Sequence, residues 1–159
     1  MEQKKIYLAG PLGFSESGTE FHQKSVIKQL EEEGFKTLDP WQINEELVKQ
    51  ALSTNTSESW HKANLELGEN NKKAIDECDI VYANLDGADV DSGTAAEIGY
   101  AFAKSKIIIG SRSDFRLSSE NIYAPVNVQV YYFIKQSGGE VYKSFKEAKE
   151  QLRKFIKQL

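Results

Sequence analysis

The residues best suited to chemistry lie in "LDGADVDSGTAAEIGYAFA" (85–103), which holds Asp86, Asp89, Asp91 and Glu97. Glu97 is set among Ala95, Ala96, Ile98 and Phe102, small and apolar neighbours that strip water from a carboxylate. Asp91 or Ser92 can cap the helix that begins here. The helix start, through its dipole and free N–H groups, favours an ionised Glu97. A charged, desolvated and positioned carboxylate is what a covalent nucleophile at a sugar carbon requires. The plainer alternative is an exposed glutamate on a helix face behind two capping residues. Three acids in one loop also raise the question of a divalent metal. Their spacing lacks the EF-hand pattern and no histidine accompanies them, so neither metal nor cofactor is expected.

Other side chains bear on the same spot. Tyr7 lies at an inner position of the first strand, and its phenol can reach Glu97 if the first and third strands are neighbours. "AGPLGFSESG" (9–18) carries glycines at 10, 13 and 18, a spacing that matches neither the dinucleotide fingerprint nor the P-loop. It reads as a tight turn into a helix, where a ligand can approach the backbone closely at Gly10. Cys78 is the lone cysteine and reads as a small residue leading into a strand. His22 and His61 read as surface residues, and Trp41 and Trp60 as packing residues.

These groups need a scaffold. "KKIYLAG" (4–10), "FKTLDP" (35–40), "DIVYANL" (79–85) and "KIIIGS" (106–111) read as buried strands, and "GGEVYKS" as a short last one. Between them, residues 15–34 carry Phe21, Val26, Ile27 and Leu30 at near-helical spacing. Residues 41–77 read as a helix in two pieces broken around "STNTSES" (53–59), and 93–104 as another helix. Residues 112–124 have weak regular structure. "PVNVQVYYFIKQ" is ambiguous, since Val126, Val128 and Val130 alternate as in a strand while the length and Pro125 permit a helix. "SFKEAKEQLRKFIKQL" is an amphipathic helix with a Ser N-cap. Strands alternating with helices predict a single α/β domain over 1–159, a doubly wound parallel sheet of about five strands. Ligands bind such sheets outside the carboxyl ends of the strands.

Composition narrows the partners. The 159 residues are 40% hydrophobic and 28% charged with a net charge of −4, ordinary for a globular protein and unsuited to a phosphate backbone. No apolar run nears the ~20 residues of a membrane span, and "MEQKKIYLAG" enters a strand with no signal-peptide core. A cytoplasmic protein that binds neither nucleic acid nor membrane is expected.

"KKIYLAGP", "CDIVYANLDGADVDSGTAAEIGYA" and "APVNVQ" together resemble the nucleoside 2-deoxyribosyltransferases, in the right order and over nearly the whole chain. The D-x-G-x-x-x-E element, Asp91 to Glu97, is the specific part. The resemblance implies a flavodoxin-like sheet and exchange of the base on a 2′-deoxyribonucleoside, through a deoxyribosyl-enzyme formed on Glu97 with overall retention. By motif position, Asp91 would bind the sugar or supply a proton to the leaving base, and Tyr7 would position Glu97. Gly10, Ser92 and Gly93 would let the sugar come close. Asn71, eight residues before Asp79, stands where members carry Asp or Asn, and it can hydrogen-bond but not act as a carboxylic acid. Asn127 would hold the 5′-hydroxyl in a neighbouring subunit's site. This implies a homo-oligomer and favours a helix for 125–136.

Some members place a C-terminal tyrosine carboxylate in the site, whereas this chain ends "FIKQL". Base contacts would come from loops such as 11–19 and 41–60, and ribonucleosides would be poor substrates. Hydrolysis of a deoxynucleoside or deoxynucleotide by the same nucleophile is the alternative, with Arg112 and Arg116 the nearby candidates to hold a 5′-phosphate. A non-catalytic nucleotide-sensing module is a third reading.

Overall fold

The computed structural model describes residues 3–157. Met1, Glu2, Gln158 and Leu159, and with them the chain end considered above, lie outside the described residues. Five strands form one sheet: β1 (Lys5–Ala9), β2 (Lys36–Leu38), β3 (Ile80–Asn84), β4 (Ile107–Ser111) and β5 (Val141–Tyr142). The order is β2-β1-β3-β4-β5, all parallel, with Tyr7 paired to Val81 and Ala83 to Gly110. This is the flavodoxin-like order, and it brings the first and third strands side by side as expected.

Successive strand residues face opposite layers. Tyr7, Ala9, Val81 and Ala83 pack with Ile75, Ile98, Val130 and Ile134, under α5 (Ser57–Glu77), α6 (Ser92–Ala103) and α7 (Val128–Gln136). Ile6, Leu8, Ile80 and Tyr82 pack with Val26, Leu30, Phe145 and Leu152, under α1 (Glu16–Phe21), α2 (Lys28–Glu32) and α8 (Phe145–Lys157). Tyr7 and Glu97 share a layer because Tyr7 is an odd-numbered residue of β1.

Four local outcomes differ from the sequence pattern or decide it. Residues 41–77 form three helices: α3 (Pro40–Ile43), α4 (Glu45–Thr54) and α5. The breaks fall at Asn44 and at left-handed Asn55, where φ is 47°. Around 125–136 the helical period prevails. Val126, Val130 and Ile134 are buried, one turn apart, while Val128 is 42% exposed. Asn127 starts α7, its Oδ1 accepting from the Gln129 and Val130 N–H groups. Between α1 and α2, His22–Ile27 is a π-helical stretch in which His22, Val26 and Ile27 are buried, His22 and Val26 sharing a face at a spacing of four. His22 is therefore buried, not on the surface, and its Nε2 lies 2.9 Å from Asp39 Oδ1.

Candidate active site

The order of strand addition reverses between β1 and β3, and the loops leaving their carboxyl ends diverge to open a cleft of about 310 Å³. Gly10, Phe14, Trp41, Asn71, Asp91 and Glu97 are among its walls. Gly10 turns the chain out of β1 at φ 154°, and a Cβ there would come within 3.0 Å of Asn84 Cβ. A side chain is thus strained and crowded where the backbone meets the cleft floor.

Glu97 lies in the second turn of α6 and is half-buried. Its Oε1 accepts from the Tyr7 hydroxyl at 2.7 Å and from Asn71 Nδ2 at 3.4 Å. Oε2 has no hydrogen-bond partner among the described residues. Burial pushes the carboxyl up to about 7, the Tyr7 hydrogen bond opposes this, and the Asp91 charge adds to it. The expectation that the helix start keeps Glu97 ionised is therefore corrected. The N–H groups of the first turn are one turn away, and Asp91 already uses one of them. Asp91 caps α6, its Oδ2 accepting from Thr94 N at 2.9 Å and Thr94 Oγ1 at 3.0 Å. Oδ1 of Asp91 is without a partner among the described residues. Tyr7 is fully buried, and burial, then the Glu97 charge, drives its phenol far above the ordinary range. It is a fixed donor.

Asn71, from α5, is held from behind. Its Oδ1 accepts from Asn44 Nδ2 at 2.9 Å, and Asn44 Oδ1 accepts from Asn70 Nδ2 at 3.0 Å. Asn44 also lines the cleft and was not singled out from the sequence, although an asparagine between two helical runs is a stop signal that points to it. Phe14 and Trp41 lie in the two loops expected to contact a base, and Trp41, read by itself as a packing residue, lines the cleft. Their rings meet edge to face at 4.7 Å, above apolar Val48 and Leu67.

The remaining candidates are placed as follows. Gly93 lines the cleft, whereas Ser92 is exposed at the first position of α6 and does not. Asn127 lies outside the cleft, donating to Glu120 Oε1 at 2.7 Å and bordering a shallow depression with Asp89 and Ser119. Arg112 is buried and donates to the carbonyls of Leu85, Gly87 and Arg116, while Arg116 pairs with Asp114. Among the described residues no group of three or more His, Cys, Asp or Glu is arranged to hold a metal, and no helix is long and apolar enough to cross a membrane.

Fold and site together define an α/β protein of flavodoxin-like topology with a carboxylate-centred cleft at the switch point of its sheet. Within that class, the chain belongs to the nucleoside 2-deoxyribosyltransferase family, whose model matches residues 6–129. An uncharacterised protein of Schizosaccharomyces pombe is 30% identical over 122 residues, which are 74% of this chain and 54% of that protein. The chain thus spans about half the length of this curated relative. A 2-deoxyribosyltransferase of Leishmania mexicana superposes with a TM-score of 0.64 at 24% identity, covering 95% of this chain and 97% of the other. A CMP N-glycosidase of Clostridium botulinum superposes at 0.51 and 22% identity, covering 96% and 99%. Both structural likenesses are of fold.

Proposed function

We propose that this chain exchanges the base of 2′-deoxyribonucleosides through a covalent deoxyribosyl-enzyme. The observation that carries the reading is Glu97 itself: a half-buried carboxylate with one oxygen held by Tyr7 and the other without a partner among the described residues, in an apolar-walled cleft. In the first step Oε2 bonds to C1′ as the C1′–N bond breaks, and the departing base takes the proton carried by Asp91 Oδ1, leaving Asp91 as the carboxylate. In the second step the nitrogen of a new base attacks C1′ as the C1′–Oε2 bond breaks, and the proton of that nitrogen passes to the Asp91 carboxylate. Two inversions give retention. The oxocarbenium-like transition states are stabilised by the adjacent carboxylate, and Tyr7 keeps that carboxylate aimed. Phe14 and Trp41 offer flat apolar surface to a base.

Water as the acceptor would make the same chain an N-glycosidase, a reading supported by its likeness in fold to the Clostridium enzyme. For a 5′-phosphate substrate, Arg112 and Arg116 offer little, because both are committed to loop contacts. Nucleosides are favoured. Asn127, standing outside the cleft and a few residues after exposed Ile122 and Tyr123 in the chain, supports an oligomer that completes each site from a neighbour, which sedimentation velocity would read.

The test is incubation with deoxyinosine and adenine. Deoxyadenosine should form, and Glu97→Ala should form none. Free deoxyribose accumulating without an acceptor base would favour hydrolysis, and no product of either kind would end the reading.

A further inference from the structure

We infer that Asn44 is a positioning residue for the cleft: it claims the Asn71 carbonyl and so obliges Asn71 to present its NH2 group to Glu97. The inference rests on reading Glu97 as the working carboxylate. Its basis is the direction of a hydrogen-bond chain. Asn44 Nδ2 donates to the Pro40 carbonyl at 2.9 Å and to Asn71 Oδ1 at 2.9 Å, while its Oδ1 accepts from Asn70 Nδ2.

An amide side chain can be turned over, but a backbone carbonyl can only accept. Turning Asn44 would set its oxygen against the Pro40 and Asn71 oxygens and its NH2 against that of Asn70. Each contact would become a clash of like groups in a site where Asn44 is only 4% exposed. The Pro40 carbonyl therefore fixes Asn44, Asn44 fixes Asn71, and Asn71 Nδ2 faces Glu97 Oε1. Because α3 ends at Asn44, the helix break that interrupts 41–77 is what delivers this side chain to α5.

The consequence is electrostatic. A donor that cannot turn favours the ionised carboxylate and opposes the burial that raises the Glu97 carboxyl. The titratable groups facing Glu97 are Tyr7 from β1 and Asp91 from the start of α6. From α5 the facing group is the neutral amide of Asn71.

The experiment is a carbon-13 NMR titration of the Glu97 carboxyl, assigned by its loss in Glu97→Gln, in the wild type, Asn44→Ala, Asn71→Ala and the double variant. Each single change should lower the ionisation constant roughly three-fold, and the double change no more than either alone. An unmoved midpoint in Asn44→Ala, or additive shifts, would overturn the inference. Asn44→Ser, whose hydroxyl can serve the Pro40 carbonyl or Asn71 but not both, carries the same test if Asn44→Ala does not fold. In turnover, Asn44→Ala should lose kcat at pH 6, keep KM, and recover at pH 8. The titration needs no turnover, so the absence of base exchange beside an intact titration pattern would sink the deoxyribosyl reading and leave this one standing.

Discussion

Two polar clusters flank the carboxyl end of β3, and they are built on opposite terms. In one, Asp86 Oδ1 accepts from the N–H groups of Ser113 and Asp114 at 2.6 and 2.9 Å, and its Oδ2 accepts from Ser113 Oγ and Asn84 Nδ2. Beside it, buried Arg112 gives its guanidinium to three loop carbonyls. In the other, Glu97 and Asp91 each keep one carboxylate oxygen without a partner among the described residues, and burial pushes the Glu97 carboxyl up to about 7. The three acids of the loop and Glu97 in the helix after it look alike as letters. What separates them is whether their hydrogen-bonding capacity is spent: spent groups hold the loop, and unspent ones in a cleft can act on a ligand.

The comparison breaks most sharply at Glu97 and Arg112. Glu97→Ala should lower base exchange by about 10³-fold or more, since the bond-forming atom is gone, while leaving the urea midpoint unchanged or raised. Arg112→Ala should do the reverse. Three carbonyls lose a donor, and about 2–3 kcal/mol of stability should go, read by urea denaturation, with kcat of the folded enzyme within a few-fold of normal. An Arg112 variant of full stability and no activity would erase the distinction between the clusters.

Tyr7→Phe sharpens it. The fully buried phenol donates to Oε1 at 2.7 Å, and its loss removes the bond that lowers the Glu97 carboxyl. Activity requires the ionised form, so the wild-type rate should fall as pH drops through about 7. In Tyr7→Phe that limb should move to higher pH, and kcat at pH 7 should drop about ten-fold. A kinetic pH series on the two proteins reads both effects. An unmoved limb would mean the phenol does no more than pack.

Much of the site was legible because short motifs placed it. Odd positions of β1 and the start of α6 had to meet once β1 and β3 were neighbours, so the Tyr7–Glu97 contact followed from topology. Asn71 and Gly93 came with the family pattern. What was hidden depended on matters that letters do not encode. His22 has polar neighbours in sequence and reads as a surface residue, but it lies four residues before Val26 on the same buried face, and its partner Asp39 comes from another part of the chain. Asn44 is functional through its partners' directions, which emerge only when α3, α5 and the Pro40 carbonyl come together. The protonation of Glu97 was misjudged because nearness in sequence to a helix start was taken as nearness to its N–H groups. One turn of displacement left burial as the larger influence.

That influence supplies the smallest and most specific effect. Glu97 binds its proton more tightly folded, at about 7, than in an unfolded chain at 4.5. Below 4.5 the carboxyl is neutral in both states and costs nothing. Between 4.5 and 7 the unfolded chain releases the proton first, so stability is lost as pH rises, and above 7 the loss is complete. Glu97→Gln keeps an acceptor for Tyr7 but never carries the charge. It should match the wild type near pH 4, gain through the intervening window, and exceed it at pH 8 by about 1–2 kcal/mol after allowance for partial exposure. Urea midpoints at pH 4, 6 and 8 measure this. A constant difference across the series would mean that packing, and not the buried charge, separates the two proteins, and the claim that Glu97 is held ready at a cost to the fold would fall.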